Sequence, residues 1–408
     1  MAYSRQKMRA ITAFTIHFVE LIIITAATVG DVCIAFSNVF PVKHSWLSIR
    51  NSPSRQGCVD NRIFGGDFRI SSQTNNRLLA SKNLWSVEEC LDKWNKQEAN
   101  STACASRIQF VDATWYHKGD RNGREEFEKG PRLPRAFHWD TGDMSMSGDL
   151  FPMSNPLDLK NVFPPEWMVG LALEKMGVTA SMTLVVYGRE GTLFAPRVWY
   201  LLKKYCRSCH VKILQGSLEE WVAKGGRIED TTTKSTLVAK DLLEIRKNED
   251  SISPLISSSA RYRLVDKAFV ERVVERLSSP DSSSLPATED DESKLPLMMI
   301  DTRGSSFAKN GHIPGAKHIP YASLSLHDDS LTLKSRYQLE EILQEAVGKE
   351  SFQRLRSESA LLTCGTGVSV CAMALVLEEL GCPEPWIYDG SWDEWGRDPS
   401  TPKIRGTG

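Results

Sequence analysis

The apolar positions of residues 86–216 change period several times, and each change marks an element. Val87, Cys90, Leu91 and Trp94 recur at helical spacing behind Ser86-Val87-Glu88-Glu89, a sequence of capping-box type, so a helix is expected from residue 87. Residues 107–112 read as a strand, the charged stretch 119–130 as a solvated loop and helix, and 134–165, rich in Pro, Ser, Met and Gly, as a long loop. A helix over 171–176 is stopped by Gly177, a strand covers 183–187, Ala195-Pro196 opens a helix to Tyr205, and a strand at 211–214 ends at Gly216. This β-α-β alternation predicts an α/β fold whose mainly parallel sheet is covered by helices on both faces.

The same order then returns. Asp266 precedes a helical pattern of Phe269, Val270, Val273, Val274 and Leu277; a strand is expected at 297–301; Leu339, Ile342 and Leu343 mark a further helix. Phe110-Val111-Asp112-Ala113-Thr114 corresponds to Met299-Ile300-Asp301-Thr302-Arg303, and Gln215-Gly216-Ser217 to Asp389-Gly390-Ser391, which identifies an internal repeat. We place a first domain at 82–228, a linker at 229–262 and a second domain at 263–402. Within these, the polar tract 248–259 and the stretch near 278–294, with its Glu289-Asp290-Asp291-Glu292 run, read as disordered segments.

The second repeat carries the stretch on which the chemistry converges. An apolar strand-like run ends at Cys364; Gly365, Thr366 and Gly367 follow; and Val368, Cys371, Ala372, Leu375 and Leu377 then resume helical spacing. A strand, a glycine-rich turn and a helix N-terminus turn successive backbone N–H groups toward one point. Such a site favours a thiolate at Cys364 and holds a negatively charged terminal sulfur after attack. In the first repeat the same position is Gly188, so only the second can use a cysteine nucleophile. Cys371, on the apolar side of the helix, reads as core.

Composition narrows the setting. Fifty basic and fifty-one acidic residues give a net charge of −1, which argues for neither a nucleic-acid partner nor an acidic membrane surface. Nine scattered cysteines point to a reducing compartment rather than a disulfide framework. Residues 1–35, with Arg5, Lys7 and Arg9 before an apolar run and Cys33-Ile34-Ala35 at a plausible cleavage point, resemble a signal peptide. Residues 36–81 are basic and rich in Ser and Asn, like a transit sequence. Together they resemble the two-part plastid presequence of algae; a mitochondrial presequence is the rival. The mature chain is expected to be organellar and free of membrane spans, since the apolar run is too short and too polar to cross a bilayer.

Four motifs in order, Ala195-Pro196-Arg197-Val198-Trp199, Gly311-His312-Ile313-Pro314-Gly315-Ala316, Cys364-Gly365-Thr366-Gly367-Val368-Ser369 and Tyr388-Asp389-Gly390-Ser391-Trp392-Asp393-Glu394-Trp395, resemble the tandem-domain rhodanese sulfurtransferases over about residues 80–400. The resemblance implies two rhodanese-like domains, the first without a catalytic cysteine. It also implies transfer of sulfane sulfur from 3-mercaptopyruvate through a Cys364 persulfide to a thiol or cyanide. The loop is similar to that of the 3-mercaptopyruvate branch: the thiosulfate-preferring branch has Arg and Lys after the cysteine, where Gly365 and Thr366 stand here, so thiosulfate is expected as the poorer donor. Neither a metal nor an organic cofactor is implied, and a thiol protein such as thioredoxin is the implied acceptor class.

The resemblance also assigns residues and finds departures. Gly365, Thr366, Gly367, Val368 and Ser369 form the substrate-binding cradle. The two arginines that bind the substrate in the family are absent, with Ser306-Phe307 in the first place. Arg303, Lys309 or Arg189 are the substitutes at hand, and each has a plain reading, Arg303 as a partner of Asp301 and the others as surface. Counting along the first-domain loop puts Gly142 or Asp143 at the relay acid and Asn161 at the relay histidine. These departures motivate a second reading, a persulfide carrier or redox-responsive binding protein with little turnover.

Cys206-Arg207-Ser208-Cys209-His210 fits the c-type haem pattern, but its place between a helix and a strand favours a redox pair over haem, and no second ligand pair suits zinc. His312 is read as structural, and Trp386, Trp392 and Trp395 as core and loop support.

Overall fold

The computed structural model describes residues 81–99, 107–117, 119–190, 194–229, 234–248, 253–257, 262–278, 295–326 and 332–406. The targeting segments expected before residue 81 and the polar insertion at 279–294 lie outside the described residues. The first repeat runs β1 (Leu84–Ser86), α1 (Val87–Ala99), β2 (Ile108–Asp112), α2 (Gly123–Lys129), β3 (Phe137–His138), α3 (Glu166–Lys175), β4 (Thr183–Tyr187), α4 (Ala195–Tyr205), β5 (His210–Gln215), α5 (Leu218–Ala223) and α6 (Ala239–Asn248). Its five strands are parallel in the order β1-β5-β4-β2-β3.

The second repeat runs β6 (Leu264–Val265), α7 (Lys267–Ser278), β7 (Met299–Asp301), α8 (Ser306–Asn310), β8 (Ala316–His318), α9 (Arg336–Val347), α10 (Lys349–Leu355), β9 (Leu361–Thr363), α11 (Val370–Glu379), β10 (Trp386–Tyr388) and α12 (Ser391–Trp395). Its parallel order, β6-β10-β9-β7-β8, is the same permutation. Asp112 lies opposite Tyr187 and Asp301 opposite Thr363. Gly188 and Cys364 therefore follow equivalent strand ends, as the repeat in the sequence requires.

Alternation along the strands divides the core. Phe110, Val185, Tyr187 and Leu214 face Val87, Trp94, Phe127 and Trp221 from α1, α2 and α5. Their neighbours Val111, Leu184, Val186 and Ile213 face the other way, into a cluster that also holds Ile300, Leu362 and Ile387 of the second sheet. That cluster is built from α3, α4, α9, α10 and α11, so the two repeats share one central core. A third cluster, with Val270, Phe307 and Trp395, covers the outer face of the second sheet.

The structure adds four short strands to the sequence reading: β1, β3, β6 and β8, each of two or three residues, too short for a period-2 pattern to register. The segment expected as a linker holds structure of its own. Residues 229–262 contain α6, whose flank buries Leu237, Ala239 and Leu242, and Tyr262 is 5% exposed. The charged face of α6 conceals its few apolar anchors in the sequence. The long loop 134–165 is likewise tied down: the Asn155 side chain donates to the Met146 and Leu159 carbonyls and accepts from the Leu159 N–H, all at 2.9 Å.

Candidate active site

Cys364 leaves the end of β9 and is 1% exposed. The carbonyls around it are held from behind. Trp392 N–H donates to the Cys364 carbonyl at 3.0 Å and Asp393 N–H to that of Gly365 at 2.9 Å, while the Cys364 N–H donates to Ser391 Oγ at 3.3 Å. In a trans peptide the C=O and the following N–H point in opposite directions. Anchoring the two carbonyls on α12 thus turns the N–H groups of Gly365 and Thr366 away from it, the orientation a sulfur cradle needs. Gly367 adopts φ +73°, and a Cβ there would lie 3.0 Å from the Asp389 carbonyl, so the turn requires glycine. Ser369 precedes α11 without a side-chain capping bond, and its hydroxyl lies 3.1 Å from that of Thr302, both buried.

The first repeat closes over this loop. Asn161 Nδ2 donates to Thr366 Oγ1 at 3.0 Å, Lys160 N–H to Asp393 at 3.0 Å and Phe163 N–H to Asp389 at 2.9 Å. Arg197, on α4 and 3% exposed, donates to the carbonyl of Gly367 at 2.8 Å and to that of Asn161. Burial raises the Asp389 carboxyl above its ordinary range, opposed by Arg197 at 3.7 Å. What remains open in front of Cys364 is a cavity of about 280 Å³ between the repeats. Its walls are Gly365, Thr366, Val368 and Ser369 of the loop, Arg303 to Ser306, Tyr321, and Trp115, His117 and Phe194 from the first repeat.

Arg303 is held from one side. Its Nε and Nη2 grip both Asp301 oxygens at 2.7–3.1 Å, Nη2 also donates to the Gly311 carbonyl, and the guanidinium lies 4.4 Å from the Trp392 ring centre. Nη1 is buried without a hydrogen-bond partner, and Arg303 lines the cavity. Nε and Nη2 are thus fixed by Asp301 and the Gly311 carbonyl, as the sequence suggests for the Asp301 pair.

Asp143 is not at the site. Its carboxylate accepts the Ala239 N–H at the start of α6 and lies 3.0 Å from Arg124, so the relay acid expected from the loop count is a helix cap and ion pair instead. Asn161 does reach the loop. Lys309 is exposed, in keeping with its plain reading, whereas Arg189 is partly buried rather than surface, donating to the Pro131 carbonyl at 2.6 Å and lying 3.6 Å from Glu126 within the first repeat. His312 is 1% exposed and stacks on Phe307 with ring centres 3.9 Å apart. Cys371 is fully buried and burial pushes its thiol up to about 12, as befits a core residue. Cys206 and Cys209 are joined as a disulfide where α4 meets β5. Among the described residues no group of three or more His, Cys, Asp or Glu side chains is placed to hold a metal, and no helix is long and apolar enough to cross a membrane.

Sequence reasoning named Arg197 within a motif but gave it no place at the site; burial of an arginine beside a partner repeat's loop has no signature in a single chain. It also missed the aromatic wall of Trp115, Phe194 and Tyr321, whose members are scattered along the sequence. In Trp115 the signal was its place just beyond β2, at the sheet end where open α/β folds bind ligands.

Comparison with known proteins places these features. The rhodanese-like domain family matches residues 287–398. The mitochondrial thiosulfate/3-mercaptopyruvate sulfurtransferase 1 of Arabidopsis thaliana is 25% identical over 304 residues, covering 72% of this chain and 73% of that protein. The 3-mercaptopyruvate sulfurtransferase of Homo sapiens is 26% identical over 310 residues, covering 74% and 90%. Among solved structures, the Tum1 protein of Saccharomyces cerevisiae superposes with a TM-score of 0.55 at 23% identity, covering 80% of this chain and 98% of that one, a likeness of fold.

Proposed function

Because the chain belongs to the rhodanese family, we propose that it moves sulfane sulfur from 3-mercaptopyruvate through a persulfide on Cys364 to a thiol or cyanide acceptor, with thiosulfate as a poorer donor. The observation that carries this reading is a buried cysteine at a strand end that lines a cavity, with the loop carbonyls of Cys364, Gly365 and Gly367 anchored by α12 and Arg197. The Cys364 thiolate attacks the donor sulfur; the carbon–sulfur bond breaks with its electron pair going to carbon, and the pyruvate enolate takes a proton. The persulfide stays among the loop N–H groups. An acceptor thiolate then attacks the terminal sulfur and regenerates the Cys364 thiolate.

Arg303, a cationic residue in the cavity wall, is the one we assign to the donor's carboxylate. Thr366 Oγ1 accepts from Asn161, which leaves its own proton to donate to the donor's carbonyl oxygen. Gly365 and Thr366 bring no positive charge next to the sulfur, which supports the lower rank of thiosulfate. Thioredoxin is the acceptor we favour, and residues 1–81 we assign to delivery into an organelle, mitochondrion or plastid.

The test is pyruvate release from 3-mercaptopyruvate by the purified protein with thioredoxin or a small thiol, beside thiosulfate-to-cyanide transfer. Steady turnover lost in Cys364→Ser, and faster with 3-mercaptopyruvate than with thiosulfate, is the expected result. One sulfur transferred per chain and no more would replace the enzyme by a persulfide carrier.

A further inference from the structure

The group that shapes the cradle from below comes from the other repeat. Arg197 stands in the first turn of α4, and its side chain crosses to the loop after β9. A buried guanidinium is costly unless its donors are satisfied. Here Nη1 donates to the Gly367 carbonyl at 2.8 Å, Nη2 donates to the Asn161 carbonyl, the Asp389 carboxylate lies at 3.7 Å, and the guanidinium carbon sits 3.2 Å from the ring centre of Phe163. Gly367 is pressed against this group: a Cβ there would be 3.2 Å from Arg197 Nη1.

The consequence is stereochemical. The C=O of Gly367 and the N–H of Val368 belong to one trans peptide and point in opposite directions. With the carbonyl held by Arg197, the Val368 N–H is turned to the opposite side of the loop, and Val368 lines the cavity with Cys364. The second half of the same fork reaches the other contact of the repeats. By fixing the Asn161 backbone it sets the amide that donates to Thr366. One side chain therefore holds both the peptide plane behind Val368 and the partner of the loop hydroxyl.

We infer that Arg197 is a positioning residue for the Cys364 cradle, holding the Gly367 carbonyl and the Asn161 backbone so that the first repeat sets the N–H geometry on which the nucleophile of the second depends. Planarity and two donors in fixed directions are what the position demands, so lysine retains the charge but reaches one carbonyl rather than both.

The turnover part of the test rests on the sulfurtransferase reading; the alkylation part does not. In the full-length protein, alkylation of Cys364 by iodoacetamide at neutral pH, read by peptide mass spectrometry, is expected to slow about tenfold in Arg197→Gln, the scale of losing one charge-assisted hydrogen bond, with Arg197→Lys in between. The pH profile of alkylation is expected to shift to higher pH in the same order. With 3-mercaptopyruvate the loss is expected in kcat, with KM little changed, because Arg197 does not line the cavity. Should Arg197→Gln not fold, Arg197→Lys, which keeps the buried cation, decides alone. A folded Arg197→Gln, or in its absence Arg197→Lys, with wild-type alkylation rate and pH profile overturns the proposal. A wild-type protein that releases no pyruvate overturns the sulfurtransferase reading and leaves the alkylation comparison standing.

Discussion

Arg303, which we propose binds the donor, is first of all a structural residue. The bidentate grip of Asp301 and the Gly311 carbonyl occupy Nε and Nη2, so a change to lysine sacrifices the fork and moves the cation in the cavity wall. Arg303→Lys is therefore expected to raise KM for 3-mercaptopyruvate about tenfold, the worth of one charge-assisted hydrogen bond, while alkylation of Cys364 by uncharged iodoacetamide stays near the wild-type rate. An unchanged KM would remove Arg303 from substrate binding. The Asp301 pair and the Cys364 turn were legible in the sequence because adjacent opposite charges and paired glycines carry their meaning locally. The role of Asp143 was not, since the groups that claim its carboxylate, Arg124 and the Ala239 N–H, lie 19 and 96 residues away in the chain. Asn161 was placed by counting along a loop whose path depends on the side-chain bonds of Asn155, and its amide bonds to the Thr366 hydroxyl.

At the scale of elements, period and caps decided what could be read. The helices with strong amphipathic faces, α4 and α7, together with α9 and the buried strand β4, fall where the pattern put them, whereas the two-residue strands owe their form to neighbours already in place. The N-terminus of α9 is the most local of these signals. Ser335 Oγ accepts from the Gln338 N–H while the Gln338 side chain accepts from the Ser335 N–H, a complete reciprocal cap on an exposed turn. Ser335→Ala is expected to lower stability by about 1 kcal/mol, seen as an earlier urea midpoint with an unchanged slope. Because α9 meets the core through Leu339, Leu343 and Val347, with Ile342 and Ala346 packed beside them, and none of these lines the cavity, a loss of that size is expected to leave Cys364 alkylation untouched.

For the whole molecule, the repeats are joined by α4 packed on α11, and that seam contains a carboxyl that titrates. Glu378 of α11 is 5% exposed and faces Lys203 of α4 at 3.9 Å, Lys82 at 3.7 Å, the Asn83 amide at 3.2 Å, Tyr262 and, further off, Glu384. Burial raises its carboxyl above the ordinary 4.5, outweighing the two lysines, and burial likewise lowers Lys203. The folded state therefore keeps the Glu378 proton to higher pH than the unfolded chain does. Its contribution is fully present below about 4.5 and is lost as pH rises through the raised value. Glu378→Gln keeps the shape and an acceptor for Asn83 without the ionisation, so the melting temperature of the variant relative to wild type is expected to climb between pH 4 and pH 8. The Lys203 shift acts only near its own, more alkaline range and leaves that window to Glu378. A difference that stays flat across the window would mean that the lysines hold Glu378 ionised in the folded seam, and that the two repeats are joined by a charged cluster rather than by a buried acid.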